Sequence, residues 1–295
     1  MNLCVVVVLY NPDNNCVNNI FSYLDFCSKV FVVDNSTTNN ANLLNGIDKI
    51  DYISLGENKD IAYAQNIGCD KALKEGFSWC MTMDQDSFWK KNELEKYLSV
   101  VERYVDQNTV YSFGPNHDTP KVKCYCQGIK NWVKKVLNYH QNQPIVQDVE
   151  YTDILISSGN IILLEKWKEV GCFDEKLFID EVDHEFSLRL GARFGNCILK
   201  INTVYLNHML GEPKDTLFKR IDFHSGVRLY YCVRNCLYVC KQYPEYNIKY
   251  HRIRSYKELF WENMRDFRFK DVYYMLKGYF AYRNNITGKY IGRNK

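Results

Sequence analysis

The chain has 295 residues, of which 46% are hydrophobic, 15% aromatic and 25% charged, with a formal net charge of +3 at pH 7. This composition excludes a disordered protein, and the length suits one large α/β domain, alone or with a helical appendage. The longest apolar stretch, residues 3–10, is too short to cross a bilayer and follows no signal-peptide pattern, so we expect the twelve cysteines to be free thiols of a cytoplasmic protein.

Strand and helix patterns alternate from the start of the chain. Residues 3–10 form a β-branched run, which is typical of a parallel strand with helices on both faces. The next predicted elements are a helix around residues 17–27, strands at 29–33 and 51–55, a helix from Ile61 to about Glu75, and a strand at 79–83. Asp60 suits the N-cap of the second helix and Gly76 its C′ position. This order predicts a Rossmann-like, mostly parallel central sheet flanked by helices.

Two acids separated by one residue, Asp84 and Asp86, follow the last of these strands. Carboxylates are ligands that Mg²⁺ and Mn²⁺ prefer, and ligands of open α/β sheets bind beyond the carboxyl ends of the strands. We therefore expect this motif to hold a divalent cation against a diphosphate. An acidic loop or a helix cap is the alternative explanation of so short a motif.

Several phosphate-binding and catalytic motifs are absent from the sequence. It contains no Gly-x-Gly-x-x-Gly after the first strand, no Gly-Lys-Ser/Thr phosphate loop and no Gly-x-Ser-x-Gly elbow. These absences disfavour dinucleotide oxidoreductases, P-loop ATPases and α/β-hydrolases. Phosphates would have to be held by a metal and by side chains.

The second half contains a dense group of charges, with six acids and one arginine at residues 174–189. In a generic protein such a segment is a solvated loop followed by an amphipathic helix. Residues 154–162, which precede it, are predicted to form an apolar strand. Ser157, Ser158 and Gly159 interrupt this strand with small residues, where a substrate can approach the backbone.

Together these segments resemble the inverting glycosyltransferase family two, which has the GT-A fold, and within it the bacterial rhamnosyltransferase-like members. The motifs that carry the resemblance are residues 5–12, 32–36, 58–68, 83–87, 157–160, 170–189, 208 and 228–235. The resemblance implies a GT-A catalytic domain over residues 1–240. It also implies a nucleotide-binding half at about 1–115 and an acceptor-binding, catalytic half at about 150–240.

The resemblance implies roles for the donor and metal ligands. The donor residues are Asn11, Asp34, Asn66, Asp84, Arg228 and Arg234. Asp34 is expected to accept a hydrogen bond from a pyrimidine N3–H, and capping of its own turn is the alternative. Either arginine would grip a diphosphate or an anionic acceptor, and a helix surface is the alternative. Asp86 would bind Mn²⁺ or Mg²⁺ directly, Asp84 through water, and His208 would complete the site, which favours Mn²⁺.

The resemblance also implies a general base and an acceptor site. Inversion needs a carboxylate that deprotonates the acceptor hydroxyl during a single displacement. Matching the segment to the family places this base on Asp183. Because the sequence has Val182 where the commonest form has Glu, Asp180 and Glu181 remain rivals. The acceptor residues would be Ser158, Gly159, Asn160 and Asp180.

The C-terminal part differs in composition. Residues 249–295 contain twelve Lys and Arg against four Asp and Glu, interleaved with aromatic side chains. We predict that residues 241–295 form a helical extension, whose basic and aromatic surface suits peripheral contact with anionic headgroups at the inner face of the membrane. Packing on the catalytic domain or in a homodimer is the alternative. No nucleic-acid-binding motif accompanies this surface, so nucleic acid is not expected as a partner.

The expected function is transfer of a sugar, with inversion, from a nucleoside diphosphate donor to a saccharide acceptor that is lipid-linked in bacterial surface polysaccharide synthesis. The resemblance favours dTDP-L-rhamnose as the donor. A UDP-hexose donor and a noncatalytic nucleotide-sugar- or glycan-binding module are the alternatives. A nucleotidyltransferase is disfavoured, because no Gly-rich loop with Arg and Lys follows the first strand.

Overall fold

The computed structural model describes residues 1–118, 148–208, 213–215, 220–222, 226–245 and 248–292. Within these ranges, only the backbone is described at residues 118, 208, 213–215, 220–222 and 248–255. The strands are β1 (Leu3–Leu9), β2 (Lys29–Asp34), β3 (Ile50–Ser54), β4 (Trp79–Asp84), β5 (Ser87–Phe88), β6 (Ser112–Asp118), β7 (Val149–Tyr151), β8 (Asn160–Leu163), β9 (Ile198–His208), β10 (Pro213–Asp215) and β11 (Arg220–Asp222). The helices are α1 (Asn15–Leu24), α2 (Ile61–Lys74), α3 (Lys91–Val105), α4 (Leu164–Glu169), α5 (Val182–Phe194), α6 (Val227–Gln242), α7 (Ile248–Arg265) and α8 (Phe269–Arg283).

One mixed sheet organises the described residues. Its strand order is β3-β2-β1-β4-β8-β6-β9-β5, and β7 pairs with β9 outside this path. The first four strands are parallel, β8 is antiparallel to both β4 and β6, and β9 is parallel to β6. The parallel strands therefore end at one edge of the sheet, where the loops after β1, β2 and β4 lie together.

The alternating side chains of β1 explain its unbroken apolar sequence. Leu3, Val5 and Val7 belong to a core cluster that includes Tyr23 of α1 and Tyr97 of α3. The residues between them point to the other face, where Cys4 and Val6 pack with Ala62, Trp167 and Phe186. Both faces of the strand are thus covered, and this confirms the buried parallel strand predicted from the sequence.

The predicted elements of the first half are confirmed, with no end shifted by more than three residues. Asp60 caps α2 by accepting a hydrogen bond from Tyr63 N, and Gly76 follows this helix with a φ of 85°. The strand predicted at residues 154–162 is wrong in its first half, because only Asn160–Leu163 pairs with the sheet. The preceding residues instead bond to Thr82 and Asp183.

The C-terminal helices pack on the rest of the chain. In α6, Cys232, Cys236 and Cys240 are buried on one face, as their spacing predicts. Helix α8 lies so close to α6 that a Cβ on Gly278 would be 2.4 Å from Tyr230 O. The proposed boundary after residue 240 falls within α6, and the division into domains stays a prediction. None of the helices in the described part of the chain has the length and apolar character of a membrane span.

Candidate active site

Three loops are joined at the edge of the sheet where the parallel strands end. Asn11 N donates to Ser36 Oγ at 2.7 Å, which ties the loop after β1 to the loop after β2. Gln85 accepts from Tyr10 N at 2.8 Å and donates to Tyr10 O at 3.1 Å, which ties the same loop to the turn after β4. Asn11, a predicted donor ligand, is exposed at this edge. The turn that carries the predicted metal ligands is thereby fixed to the predicted nucleotide loop.

Asp34 is fully buried at the end of β2. Its carboxylate accepts hydrogen bonds from Ser36 N at 3.0 Å, Asn40 Nδ2 at 2.8 Å and the Tyr52 hydroxyl at 2.5 Å. Burial opposes ionisation, but these hydrogen bonds outweigh it and hold the pKa of Asp34 below its usual value. Both oxygens are therefore engaged within the protein, which matches the capping alternative and differs from the predicted contact with a nucleobase.

The predicted metal ligands lie at the end of β4, in the turn after it and at the end of β9. Asp84 ends β4 and is half-buried, and Asp86 is exposed in the following turn. Ser87, the next residue, lies opposite His208 in the antiparallel pairing of β5 with β9. The imidazole of His208 lies outside the described residues, and no three His, Cys, Asp or Glu side chains converge among those that are described. By residue type alone, two carboxylates and one imidazole are ligands that suit Mn²⁺.

The small residues after the irregular segment 154–156 are bonded to β4. Thr82 Oγ1 donates to Ser157 O at 2.6 Å, and Gly159 N donates to Thr82 O at 2.8 Å. Ser158 Oγ is buried 3.4 Å from Asp84 N. Gly159 has a φ of 80°, and a Cβ there would lie 3.0 Å from neighbouring side-chain carbons, so the turn requires glycine. These contacts bring the predicted acceptor segment to the predicted metal turn.

Asp183 is in the first turn of α5 and faces this segment. Its Oδ2 accepts from Ser157 N at 3.0 Å, and its Oδ1 accepts from His184 N at 2.9 Å. Its side chain is 23% exposed, whereas that of its rival Glu181 is 5% exposed and lies 3.2 Å from His184 Nδ1. Asp183 is therefore both accessible and attached to the segment that borders Asp84.

Asp180 and Arg228, predicted to contact the acceptor and the donor respectively, form an ion pair. Arg228 Nη2 lies 2.9 Å from Asp180 Oδ1, with side chains 45% and 13% exposed. Burial works against the charge of Arg228, but the Asp180 carboxylate outweighs it and raises the pKa of the guanidinium. The structure thus joins the two residues, and the carboxylate of this second rival base is engaged by a cation.

The loop before α5 has a strained backbone. Phe178, Asp180 and Glu181 all have left-handed φ angles, of 66°, 64° and 67°. Such angles cost roughly 1–3 kcal/mol each and persist only where surrounding contacts fix them. The fully buried Asn235 of α6 supplies such contacts, because its Nδ2 lies 2.8, 2.8 and 2.9 Å from the carbonyl oxygens of Leu177, Ile179 and Asp180.

Arg234 differs from its predicted role as a diphosphate ligand. It is 2% exposed, and its guanidinium lies 5.2 Å from the ring of Tyr230 and 5.1 Å from that of Tyr231. Its N–H groups donate to Gly288 O at 2.7 Å and Leu177 O at 2.9 Å. Arg234 therefore joins α6 to the loop before α5 and to the C-terminal segment, and its donors are directed at protein acceptors.

Asn66 and Asn160, which were predicted to contact substrates, also make hydrogen bonds within the protein. Asn66 Oδ1 accepts from Phe173 N at 2.9 Å, and its Nδ2 donates to Phe173 O at 3.0 Å. Asn160 is 3% exposed and accepts from the Ser112 hydroxyl at 2.7 Å. Asn66 lines a groove of about 840 Å³ beside α2 and α5, and Arg234 lines a cavity of about 280 Å³, but Asp183 lines neither.

Three buried or bridging amides were not predicted from the sequence. Gln65 is 2% exposed and donates to Ser157 Oγ at 2.6 Å, next to the contact with Asp183. Gln85 holds the turn after β4, and Asn235 holds the strained loop before α5. Gln65 and Asn235 each interrupt an apolar face of a helix. Such a position indicates a structural role in the sequence, because a buried amide needs hydrogen-bond partners.

This fold and this edge define a GT-A glycosyltransferase. The Glycosyl transferase family 2 model matches residues 4–165. The chain is also 32% identical over 247 residues to the dTDP-rhamnosyl transferase RfbF of Shigella flexneri. This alignment covers 82% of this chain and 80% of that protein. The chain therefore belongs to glycosyl transferase family 2.

Solved structures of low sequence identity share the fold. GalNAc-T7, crystallised with UDP, GalNAc and Mn²⁺, has a TM-score of 0.55 and 13% identity. The match covers 81% of this chain and 47% of that one, so this chain spans less than half the length of that structure. TarS 1-349 of S. aureus in complex with UDP-GlcNAc has a TM-score of 0.55 and 14% identity, over 85% of this chain and 69% of that one.

Proposed function

We propose that this glycosyltransferase moves L-rhamnose from dTDP-L-rhamnose, with inversion, to a hydroxyl of a lipid-linked saccharide on the cytoplasmic side of the membrane. The 32% identity to a dTDP-rhamnosyl transferase supports the donor. The observation that carries the reaction is the position of Asp183, which is accessible and bonded to Ser157 in the segment bordering Asp84. A UDP-hexose donor is the alternative, because thymine differs from uracil by one methyl group.

In this proposal Asp183 is the general base. Ser157 N fixes the direction of one oxygen of this carboxylate. The remaining electron pairs of the Asp183 carboxylate accept the proton of the acceptor hydroxyl while the hydroxyl oxygen attacks the anomeric carbon. General-base assistance of this kind increases the rate by roughly 10²- to 10⁴-fold. The nucleoside diphosphate departs from the opposite face of the sugar, and the anomeric configuration inverts.

The donor would bind at the edge formed by the loops after β1, β2 and β4. Asn11 is exposed there, and Asp86 with His208 and Asp84 would hold the cation. A bound Mn²⁺ or Mg²⁺ would offset the charge on the departing diphosphate. Asp34 shapes the loop after β2 by holding Ser36 and Asn40, and Gln85 fixes the direction of the turn.

A thermal-shift titration with dTDP and UDP, each with and without Mn²⁺, tests the donor site, because a ligand of the native state raises its apparent stability. We expect a larger shift with dTDP that depends on Mn²⁺, and release of dTDP when dTDP-L-rhamnose is supplied with an acceptor glycan. A larger shift with UDP would change the donor while leaving the enzyme class. No shift with either nucleotide at millimolar concentration would contradict the proposal and favour a noncatalytic module.

A further inference from the structure

One face of α8 consists of exposed apolar side chains. Phe269, Tyr273, Leu276 and Phe280 are 57%, 49%, 43% and 57% exposed. Their spacing places them within about 60° of one another around a helix with 100° per residue. Phe267, in the turn before the helix, is 78% exposed and its ring lies 6.1 Å from that of Phe269. We call these five residues the aromatic stripe.

The opposite face of α8 is fixed to the protein. Met275 and Ala281 are buried, and Gly278 allows the helix to approach the backbone of α6. Met275 packs with Leu229 and other side chains of α6 and α7. Because this face is anchored by core contacts, the aromatic stripe must face away from α6.

The exposed charges of α8 are all positive. Lys270, Lys277 and Arg283 are exposed beside the stripe. Asp271, the one acid in this helix, is 7% exposed, lies 2.8 Å from Arg268 Nη2 and accepts from Gly226 N at 2.8 Å. The surface of α8 therefore combines bulky apolar side chains with unopposed positive charge along one helix.

We propose that the aromatic stripe docks on an anionic phospholipid surface, with α8 parallel to the membrane plane. An interfacial helix of this kind inserts its apolar face at the level of the acyl boundary, while flanking Lys and Arg side chains contact anionic headgroups. A symmetric contact between two copies through the same stripe would bring equal positive charges together, which disfavours a second copy as the occupant.

The position of α8 links this surface to the catalytic loop. Helix α8 packs on α6, and α6 carries Asn235, which holds the carbonyl of Asp180. Docking of α8 would thus set the distance and orientation of Asp183 relative to the membrane surface, where a lipid-linked acceptor presents its sugar. The docking surface itself does not depend on which nucleotide sugar is the donor.

Co-sedimentation of the full chain with vesicles tests the proposal, using phosphatidylcholine alone or mixed with phosphatidylglycerol. We expect binding only to the anionic vesicles, with loss of binding in 0.5 M NaCl. The combined variant Lys270→Gln/Lys277→Gln/Arg283→Gln should bind on the order of 100-fold more weakly, at roughly fivefold for each charge. Phe267→Ser/Phe269→Ser/Phe280→Ser should bind at least about tenfold more weakly.

Matched controls separate the stripe from general effects of charge and apolar surface. Lys90→Gln/Lys91→Gln/Lys241→Gln removes the same charge elsewhere, and Phe21→Ser/Tyr151→Ser/Tyr205→Ser removes aromatic residues of similar exposure. Both controls should bind vesicles like the wild type.

The proposal is overturned if the control variants lose binding as much as the stripe variants do, or if the protein does not bind anionic vesicles. It is also overturned if sedimentation equilibrium shows a lipid-free dimer that the aromatic variant dissociates. Nucleotide shifts measured on the same variants report separately on the proposed function.

Discussion

The backbone N–H of Ser157 donates to Asp183 Oδ2 at 3.0 Å, across 26 residues of sequence. This contact joins the start of α5 to the segment that the Thr82 hydroxyl also holds. The other oxygen of Asp183 accepts from His184 N, so two backbone N–H groups set the direction of the carboxylate while each oxygen keeps a further electron pair. The geometry therefore suits a base that must meet an acceptor hydroxyl from a fixed direction.

Asp183→Asn should reduce sugar transfer by about 10²- to 10⁴-fold, because the amide cannot accept the proton of the acceptor hydroxyl. The affinity for dTDP should be unchanged, since Asp183 is not a predicted donor ligand. Initial rates of dTDP release and a dTDP titration measure the two effects. Glu181→Gln is the control, and transfer that survives in Asp183→Asn but not in Glu181→Gln would assign the base to Glu181.

Asp86→Asn should abolish the increase in dTDP affinity that Mn²⁺ produces, because an amide oxygen is a weaker ligand for a divalent cation than a carboxylate. Binding of dTDP without metal should be similar to that of the wild type. Isothermal titration with and without Mn²⁺ measures the difference. Asp48→Asn, at another exposed acid, should retain the metal effect. An unchanged metal effect in Asp86→Asn would remove this residue from the site.

Arg234→Lys should lower the free energy of unfolding by about 2–4 kcal/mol, because a lysine cannot replace the several charged hydrogen bonds to buried carbonyls. Its affinity for dTDP should stay within about twofold of wild type if the contacts are structural. Urea denaturation and nucleotide titration measure both quantities. Arg193→Lys, 67% exposed, should change neither. Unchanged stability with strongly reduced dTDP affinity would restore Arg234 as a donor ligand.

Gly278→Ala should destabilise the protein by about 1–3 kcal/mol, which is typical of overpacking. The added methyl group would lie 2.4 Å from Tyr230 O, so α8 would have to move away from α6. Gly292→Ala is the matched control, because its nearest neighbour lies 3.5 Å from the added carbon. Urea denaturation compares the variants, and equal stability of the two would show that α8 is not closely packed in solution.

Asp60 should make stability fall as pH rises from about 4 to 6. Burial, together with the nearby Glu175 and Asp174 carboxylates, raises the pKa of Asp60 from 3.8 to about 6. In this interval the folded state binds more protons than the unfolded state, so the free energy of unfolding decreases with pH. The decrease should be on the order of 2 kcal/mol.

Asp60→Asn should lack this decrease, because asparagine caps a helix without ionising. Urea denaturation of both proteins from pH 4 to 7 measures the difference between their stabilities. That difference should shift in favour of the variant as the pH rises. Parallel pH dependence in the two proteins would show that Asp60 ionises normally in the folded state.

Local patterns predicted much of the fold. The β-branched run of β1, the Asp60 cap and the position of Gly76 all depend on residues close in sequence, so the first half was predicted within three residues. The turn at Ser157–Gly159 was missed because its hydrogen-bond partners, Thr82 and Asp183, are distant in sequence. An apolar pattern alone does not distinguish a paired strand from an extended segment held by side chains.

The sequence indicated where candidate site residues lie, but not which protein groups they contact. Asp84 and Asp86 lie at the strand end that their sequence position indicated. The resemblance to the family assigned Arg234 and Asp34 to the donor, but the side chain of each is engaged by groups of the protein itself. Such engagement depends on long-range packing, including a carbonyl 54 residues away at Gly288, which the local sequence does not reveal.

The contacts of residues 288–290 have a consequence for biosynthesis. Gly288 N donates to Lys176 O, and Gly288 O accepts from Arg234, whose neighbour Asn235 holds the strained loop before Asp183. The ribosome adds Gly288 about a hundred residues after Asp183. At about 5 to 20 residues per second, the loop before Asp183 forms this contact roughly 5 to 20 s after its own synthesis. The nascent chain would therefore hold the loop before Asp183 through Asn235, but without the contacts of Gly288, until translation has passed α8 and reached that residue.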